Sequence, residues 1–291
     1  MKLFLNSRIF FLPFILFLFS ACGNTNNSTT ISSSVAIGTG SFVLNAAKDE
    51  LTFYITVNGL SGPITSAHFH NAAEGSDGII VRTITSFFSN GTASGVWKSS
   101  DGEPLTPGLV TELEAGRIYV NAHTSAFPSG EIRGQLKSLA AGEKGFTAKM
   151  AGTNEVPANS ASGTGTGVFV LNSASNDLTF DITVTGLSGA ITAAHFHNAP
   201  EGVSGLAVRT ITSSFSNNTA SGEWKNTDSE SLTPSLVTEL NAGRIYVNAH
   251  TSANPAGEIR GQLNEDTGTF FEAILIGSAE GTISSGRSSG Y

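Results

Sequence analysis

All six histidines of the chain fall into two sets with one spacing: His68, His70 and His123, then His195, His197 and His250. Each set is an H-x-H pair with a third histidine 53 residues after the second. Neutral imidazole suits Zn(II) and copper, and three imidazoles leave a coordination position for a fourth group. In an extended strand alternate side chains share a face. Both imidazoles of H-x-H therefore project to one side, and Phe69 or Phe196 projects to the other. His123 opposes Ile118, Val120 and Ala122 by the same parity, so it too leaves the core side of its strand. If the two strands are neighbours, three imidazoles converge. Three uses stay open for such a cluster: a metal centre, hydrogen bonds to loop carbonyls, or direct contact with a partner. No cofactor is required by the sequence; copper or zinc is what this ligand set would take, with Asp101 or Glu103 in reach to add a carboxylate.

Little else in the chain carries chemistry. Glu131, Arg133 and Gln135 alternate with Ile132 and Gly134 and share a face, where Arg133 is expected to pair with a carboxylate such as Glu74 or Glu131. Trp97 and Trp224 read as core or edge packing rather than a carbohydrate platform. The chain has no cysteine nucleophile, no phosphate-cradling glycine loop and no Ser-His-Asp pattern, so an enzyme is disfavoured.

The elements that hold these histidines come from a repeat. Residues 40 to 136 align without a gap on 167 to 263, and about three-quarters of the positions are identical. A unit this long is a domain rather than a solenoid turn. Within it Leu51, Phe53, Ile55 and Val57 alternate with Thr52, Tyr54, Thr56 and Asn58 before Gly59-Leu60-Ser61-Gly62 breaks the run. The 33 glycines and the abundance of Ser and Thr suit short strands joined by turns. The expected fold is all-β: two tandem antiparallel Greek-key sandwich or barrel domains, over 35–138 and 145–265. Each should hold one short helix, begun by Thr106 as cap and Pro107 in the first turn of Leu105–Leu113.

The opening Gly152-Thr153-Asn154-Glu155-Val156-Pro157, the AHFH-NA-x-EG-x-x-G segment and the YVNAHT-x-x-x-P-x-GEIRGQL ending together resemble the CHRD domain, first named in chordin. The resemblance covers nearly all of 35 to 263. It implies the β fold and an extracytoplasmic compartment more than a function: in chordin the domain belongs to an extracellular growth-factor antagonist. An extracellular or periplasmic protein or glycan is the partner left open for a binding module. H-x-H pairs on strands also resemble those of copper-zinc superoxide dismutases, although an intradomain disulfide is impossible here and that family's zinc-binding loop is not identifiable. Copper handling or a dismutase-like redox role is thus the alternative to a non-enzymatic binding module.

The two repeats differ at their edges. Phe146–Glu155 precedes the second, whereas only a polar stretch precedes the first. Residues 271–280 match that missing opening strand by Phe, Ala, a large apolar residue, Gly and Glu, making 268–291 a truncated third copy. A sheet lacking a strand exposes unpaired N–H and C=O groups. Residues 270–277 are expected to pair with an open edge, and a remnant of a longer array is the other possibility.

At the N-terminus, Lys2 and Arg8 flank the apolar run Ile9–Phe19, and Phe19-Ser20-Ala21-Cys22 follows, which resembles a bacterial lipobox. Residues 1–22 then form a lipoprotein signal peptide, and the only cysteine of the chain, Cys22, is the lipidation site. The Asn/Ser/Thr-rich 23–34 is a tether holding the domains off the membrane. Lacking an Asp after Cys22, the anchored protein would reach the outer membrane of a Gram-negative cell. The formal net charge of −8 disfavours nucleic acid.

Overall fold

The computed structural model describes residues 36–216 and 218–277. The expected leader with Cys22, the expected 23–34 tether and the residues beyond 277 lie outside the described residues. The first repeat runs β1 (Ile37–Leu44), β2 (Glu50–Asn58), β3 (Ile64–Asn71), β4 (Ile79–Thr83), β5 (Phe88–Ser89), β6 (Thr92–Lys98), α1 (Pro107–Glu114), β7 (Ile118–Thr124), β8 (Ile132–Gln135) and β9 (Lys137–Ser138). The second runs β10 (Lys144–Ala151), β11 (Thr164–Leu171), β12 (Asp177–Thr185), β13 (Ile191–Asn198), β14 (Leu206–Thr210), β15 (Phe215–Ser216), β16 (Thr219–Lys225), α2 (Pro234–Asn241), β17 (Ile245–Thr251), β18 (Ile259–Gln262) and β19 (Asn264–Glu265). The chain then returns as β20 (Thr269–Ile276).

Each domain is one antiparallel sheet curled into a half-barrel. The second has the order β14-β13-β17-β18-β10-β11-β12-β16-β15, and the first has β4-β3-β7-β8-β20-β1-β2-β6-β5. The C-terminal strand β20 therefore occupies, in the first domain, the place that β10 holds in the second. Registers agree residue by residue: Phe271, Ala273 and Leu275 face Phe42, Gly40 and Gly38, as Phe146, Ala148 and Met150 face Phe169, Gly167 and Gly165. Gly38 is required there, because a Cβ would stand 2.6 Å from the Thr56 carbonyl oxygen.

The curl is closed by aromatic packing on the inner face. Phe69 of β3 stacks on Trp97 of β6 at 5.4 Å and meets Phe53 and Phe42 edge-on, so strands near the two ends of the sheet touch. Trp97 is fully buried and its Nε1–H donates to the Glu103 carbonyl, which makes it core. The helices begin as the sequence indicates, Thr106 accepting from Leu109 N–H and Thr233 from Leu236 N–H, and each buries a Val and a Leu against its sheet.

The two domains meet through Val43, Val168, Val170 and Phe270. Beside this patch Asp181, standing where the first repeat has Tyr54, accepts hydrogen bonds from Ser41 of the other domain and from Ser221. Glu272 lines the same seam, on a cleft of about 460 Å³. Burial, reinforced by the charges of Glu143 and Asp181, pushes Glu272 up to about 7. A carboxyl whose folded pKa exceeds its unfolded value stabilises the fold at low pH. That contribution fades as pH rises from about 4.5 through about 7. Discounted for partial exposure, the cost at pH 8 is about 1–2 kcal/mol. Glu272→Gln is accordingly expected to melt roughly 2–6 °C higher than the parent at pH 8 and level with it at pH 4. Equal gains at both pH values would show that the charge is not the cause.

Candidate metal centre

The histidines occupy the outer faces of neighbouring strands. β3 pairs with β7 so that His68 lies opposite Asn121, His70 opposite Tyr119 and Ser66 opposite His123; β13 and β17 repeat the arrangement. Strand parity sends Ala67, Phe69, Val120 and Ala122 into the core and the imidazoles away from it. A register shift against β4 between Phe69 and His70, repeated between Phe196 and His197, adds a local bulge beside the pair.

In each domain one nitrogen of each of the three imidazoles lies within 4.8 Å of the others. His68 Nδ1 is 3.2 Å from His123 Nε2, and His195 Nδ1 is 3.3 Å from His250 Nε2. Two rings in each set are held by backbone carbonyls. His70 Nδ1 donates to Gly78 O at 2.9 Å and His123 Nδ1 to Pro128 O at 3.0 Å; His197 and His250 donate likewise to Gly205 O and Pro255 O. A carbonyl can only accept, so the Nδ1 proton is fixed and Nε2 is left with a lone pair directed into the cluster. This is the outer-sphere arrangement that orients metal-binding histidines. The 3.2 Å contact is equally the length of one His68–His123 hydrogen bond, so geometry alone permits both uses.

Behind the cluster stand flat stacks. Tyr119 is sandwiched between His70, 4.7 Å away and 5° from parallel, and the Arg133 guanidinium, 3.5 Å from its ring centroid. Tyr246 lies in the same way between His197 and Arg260. Burial holds His68 and His195 below the ordinary imidazole range, and the neighbouring imidazoles His123 and His250 add to it. For His70 and His197 burial outweighs the opposing carbonyls of Gly78 and Gly205. These four rings are neutral, and so able to act as ligands, at pH 7.

Several residues lie where the sequence did not put them. Asp101 pairs with Arg82 at 3.0 Å and Glu103 accepts from Thr83 N–H and Oγ1–H, so neither joins the cluster. Arg133 turns to Asp77 and the Ser76 carbonyl rather than to Glu74 or Glu131. Glu74 takes Lys137, while Glu131 accepts from Ser61 N–H and Oγ–H and from Thr124 Oγ1–H. Glu131 and its counterpart Glu258 are held low: burial works to raise them, and the Ser and Thr hydrogen bonds together outweigh it. The residues that sequence reasoning passed over are Asn121 and Asn248, on the histidine face by parity. Glu155, just after β10, is also buried and adjoins Asn248 and Arg260.

No solved structure matches the chain. Chordin of Xenopus laevis is 29% identical over 198 residues, which is 64% of this chain and 20% of that protein, so the chain spans about a fifth of the relative it matches. The CHRD domain family matches residues 19–136 and 146–263, one copy on each curled sheet with its histidine trio. The chain belongs to the CHRD domain family and carries two copies in tandem.

Proposed function

We propose that this chain is a non-enzymatic binding module of the cell envelope, tethered by lipid on Cys22, in which each domain holds one Zn(II) or copper ion on its three histidines. One observation carries the metal reading: each trio converges with Nδ1 of two rings tied back to carbonyls. Tetrahedral zinc bonds of about 2.0–2.1 Å place neighbouring ligand atoms about 3.3–3.4 Å apart, close to the 3.2 and 3.3 Å nitrogen separations here. The binding partner in this reading is an extracellular or periplasmic protein or glycan, with the metal organising the surface that meets it.

The test is metal analysis and titration of residues 23–291 beside a variant with all six histidines changed to alanine. Two sites per chain are expected in the parent, one per trio, and none in the variant. A folded parent that binds neither zinc nor copper discards the metal centre and leaves a module that captures its partner directly. Copper retained together with superoxide turnover, both lost in the variant, would replace the binding module with a redox role.

A further inference from the structure

The hydrogen-bond directions at the second centre identify a fourth group. His197 and His250 carry their protons on Nδ1, so both Nε2 atoms are acceptors. Both nevertheless approach one oxygen, Asn248 Oδ1, at 3.1 and 3.0 Å. Three lone-pair atoms at such distances repel one another with no proton between them. A cation at their centre converts each of these contacts into the edge of a coordination polyhedron. The edges measured, 3.0, 3.1 and 3.3 Å, are those of a compact four-coordinate site.

The Asn248 amide presents Oδ1, not Nδ2, to both nitrogens. The first domain offers the same two atoms from its own residues: Asn121 Oδ1 and His70 Nε2 are both buried, and neither has a hydrogen-bond partner of ordinary geometry among the described residues.

We infer that Asn248, and Asn121 in the first domain, supplies an oxygen ligand that completes a site of three histidines and one asparagine for a divalent ion, Zn(II) or Cu(II). Three imidazoles and one amide oxygen form a neutral, borderline donor set, which suits these ions better than Cu(I). This inference rests on the metal reading given above.

The experiment uses residues 23–291 with His68, His70 and His123 changed to alanine so that only the second centre can load. Zn(II) affinity is measured by competition with a chromophoric chelator, and Cu(II) binding by electron paramagnetic resonance. Asn248→Ala is expected to weaken Zn(II) about 10–100-fold and to change the Cu(II) signature. Asn121→Ala, measured with the second trio changed to alanine instead, is an independent copy of the test. If Asn248→Ala and Asn121→Ala stay within about twofold of their parents with unchanged signatures, while His250→Ala abolishes binding, the asparagine ligand is overturned and the histidine centre stands. A folded parent that takes up no metal overturns both.

Discussion

Deleting residues 268–291 is expected to unfold the first domain and leave the second folded. The strand removed, β20, is the buried spine of a core built from the other end of the chain: Phe271 is 1% exposed, Ala273 4% and Leu275 0%. Losing the burial of Phe271 and Leu275 removes about 1.5–3 kcal/mol each. The cut also strips the whole length of β1, paired with β20 from Ile37 to Leu44, and frees the β8 edge at Arg133. Unpaired ladder groups in the middle of a sheet add to that loss. The sum is on the order of 5 kcal/mol or more, comparable to the whole stability of an ordinary domain. The second domain keeps its own β10 and should be spared. Each domain has one tryptophan, Trp97 or Trp224, both buried. Emission in a Trp224→Phe background therefore reports the first domain alone, and Trp97→Phe the second. The truncated chain should show Trp97 emission shifted to that of a solvated indole and Trp224 emission unchanged. A Trp97 spectrum and melting curve identical to those of the full chain would mean that β20 is dispensable.

That strand marks the boundary of what a single sequence makes readable. The match of 271–280 to Phe146–Glu155 is visible as a pattern, but two open edges were available to it, and pairing partners so far apart in sequence leave no local trace. Parity, by contrast, is local, and it suffices to put His68, His70 and His123 on one face. What turned a shared face into a cluster was the adjacency of β3 and β7, which the sequence left as a condition. Asn121 and Asn248 were legible to the same degree, since each lies two residues before its third histidine, on the same side of the strand. They were passed over because asparagine in a strand has many uses, and the one inferred above shows only in the direction of its amide. The pairings expected of Asp101, Glu103 and Arg133 failed for a different reason. Long charged side chains reach whichever loop is near, and loop positions such as Ser76 and Asp77 are set by the fold as a whole. The domain contact was likewise unreadable: Asp181 is one of the positions where the copies differ, and only its burial against Ser41 gives that difference a meaning.

Arg260→Ala is expected to destabilise the second domain by about 3–5 kcal/mol, lowering its melting temperature on the order of 10 °C. The guanidinium is 2% exposed and spreads on the Tyr246 ring, 3.4 Å from its centroid. It donates to the carbonyls of Val203 and Pro200 and to Gln262 Oε1. Burial pulls its pKa down, and Tyr246, Glu155 and Glu201 pull it back, so the cation is retained at some electrostatic cost. Truncation would orphan the carbonyls of the 200–203 loop and leave Glu155 buried without its positive neighbour. Lysine is a poor replacement, because a point charge cannot stack on the ring and reach both carbonyls at once. Arg260→Lys should recover less than half of the loss. The consequence extends to the centre, for Tyr246 bears on His197 at 4.6 Å with the rings 4° from parallel, and the loop that Arg260 holds carries Gly205, the carbonyl that fixes the His197 tautomer. If the trios hold metal as proposed, affinity at the second site should therefore fall with stability in Arg260→Ala, while the first site, backed by Arg133 and Tyr119, should keep its own. A variant melting within about 2 °C of the parent would show that the stacked arginine is ornamental to the fold; a destabilised variant with full affinity at the second site would separate the stack from the centre it supports.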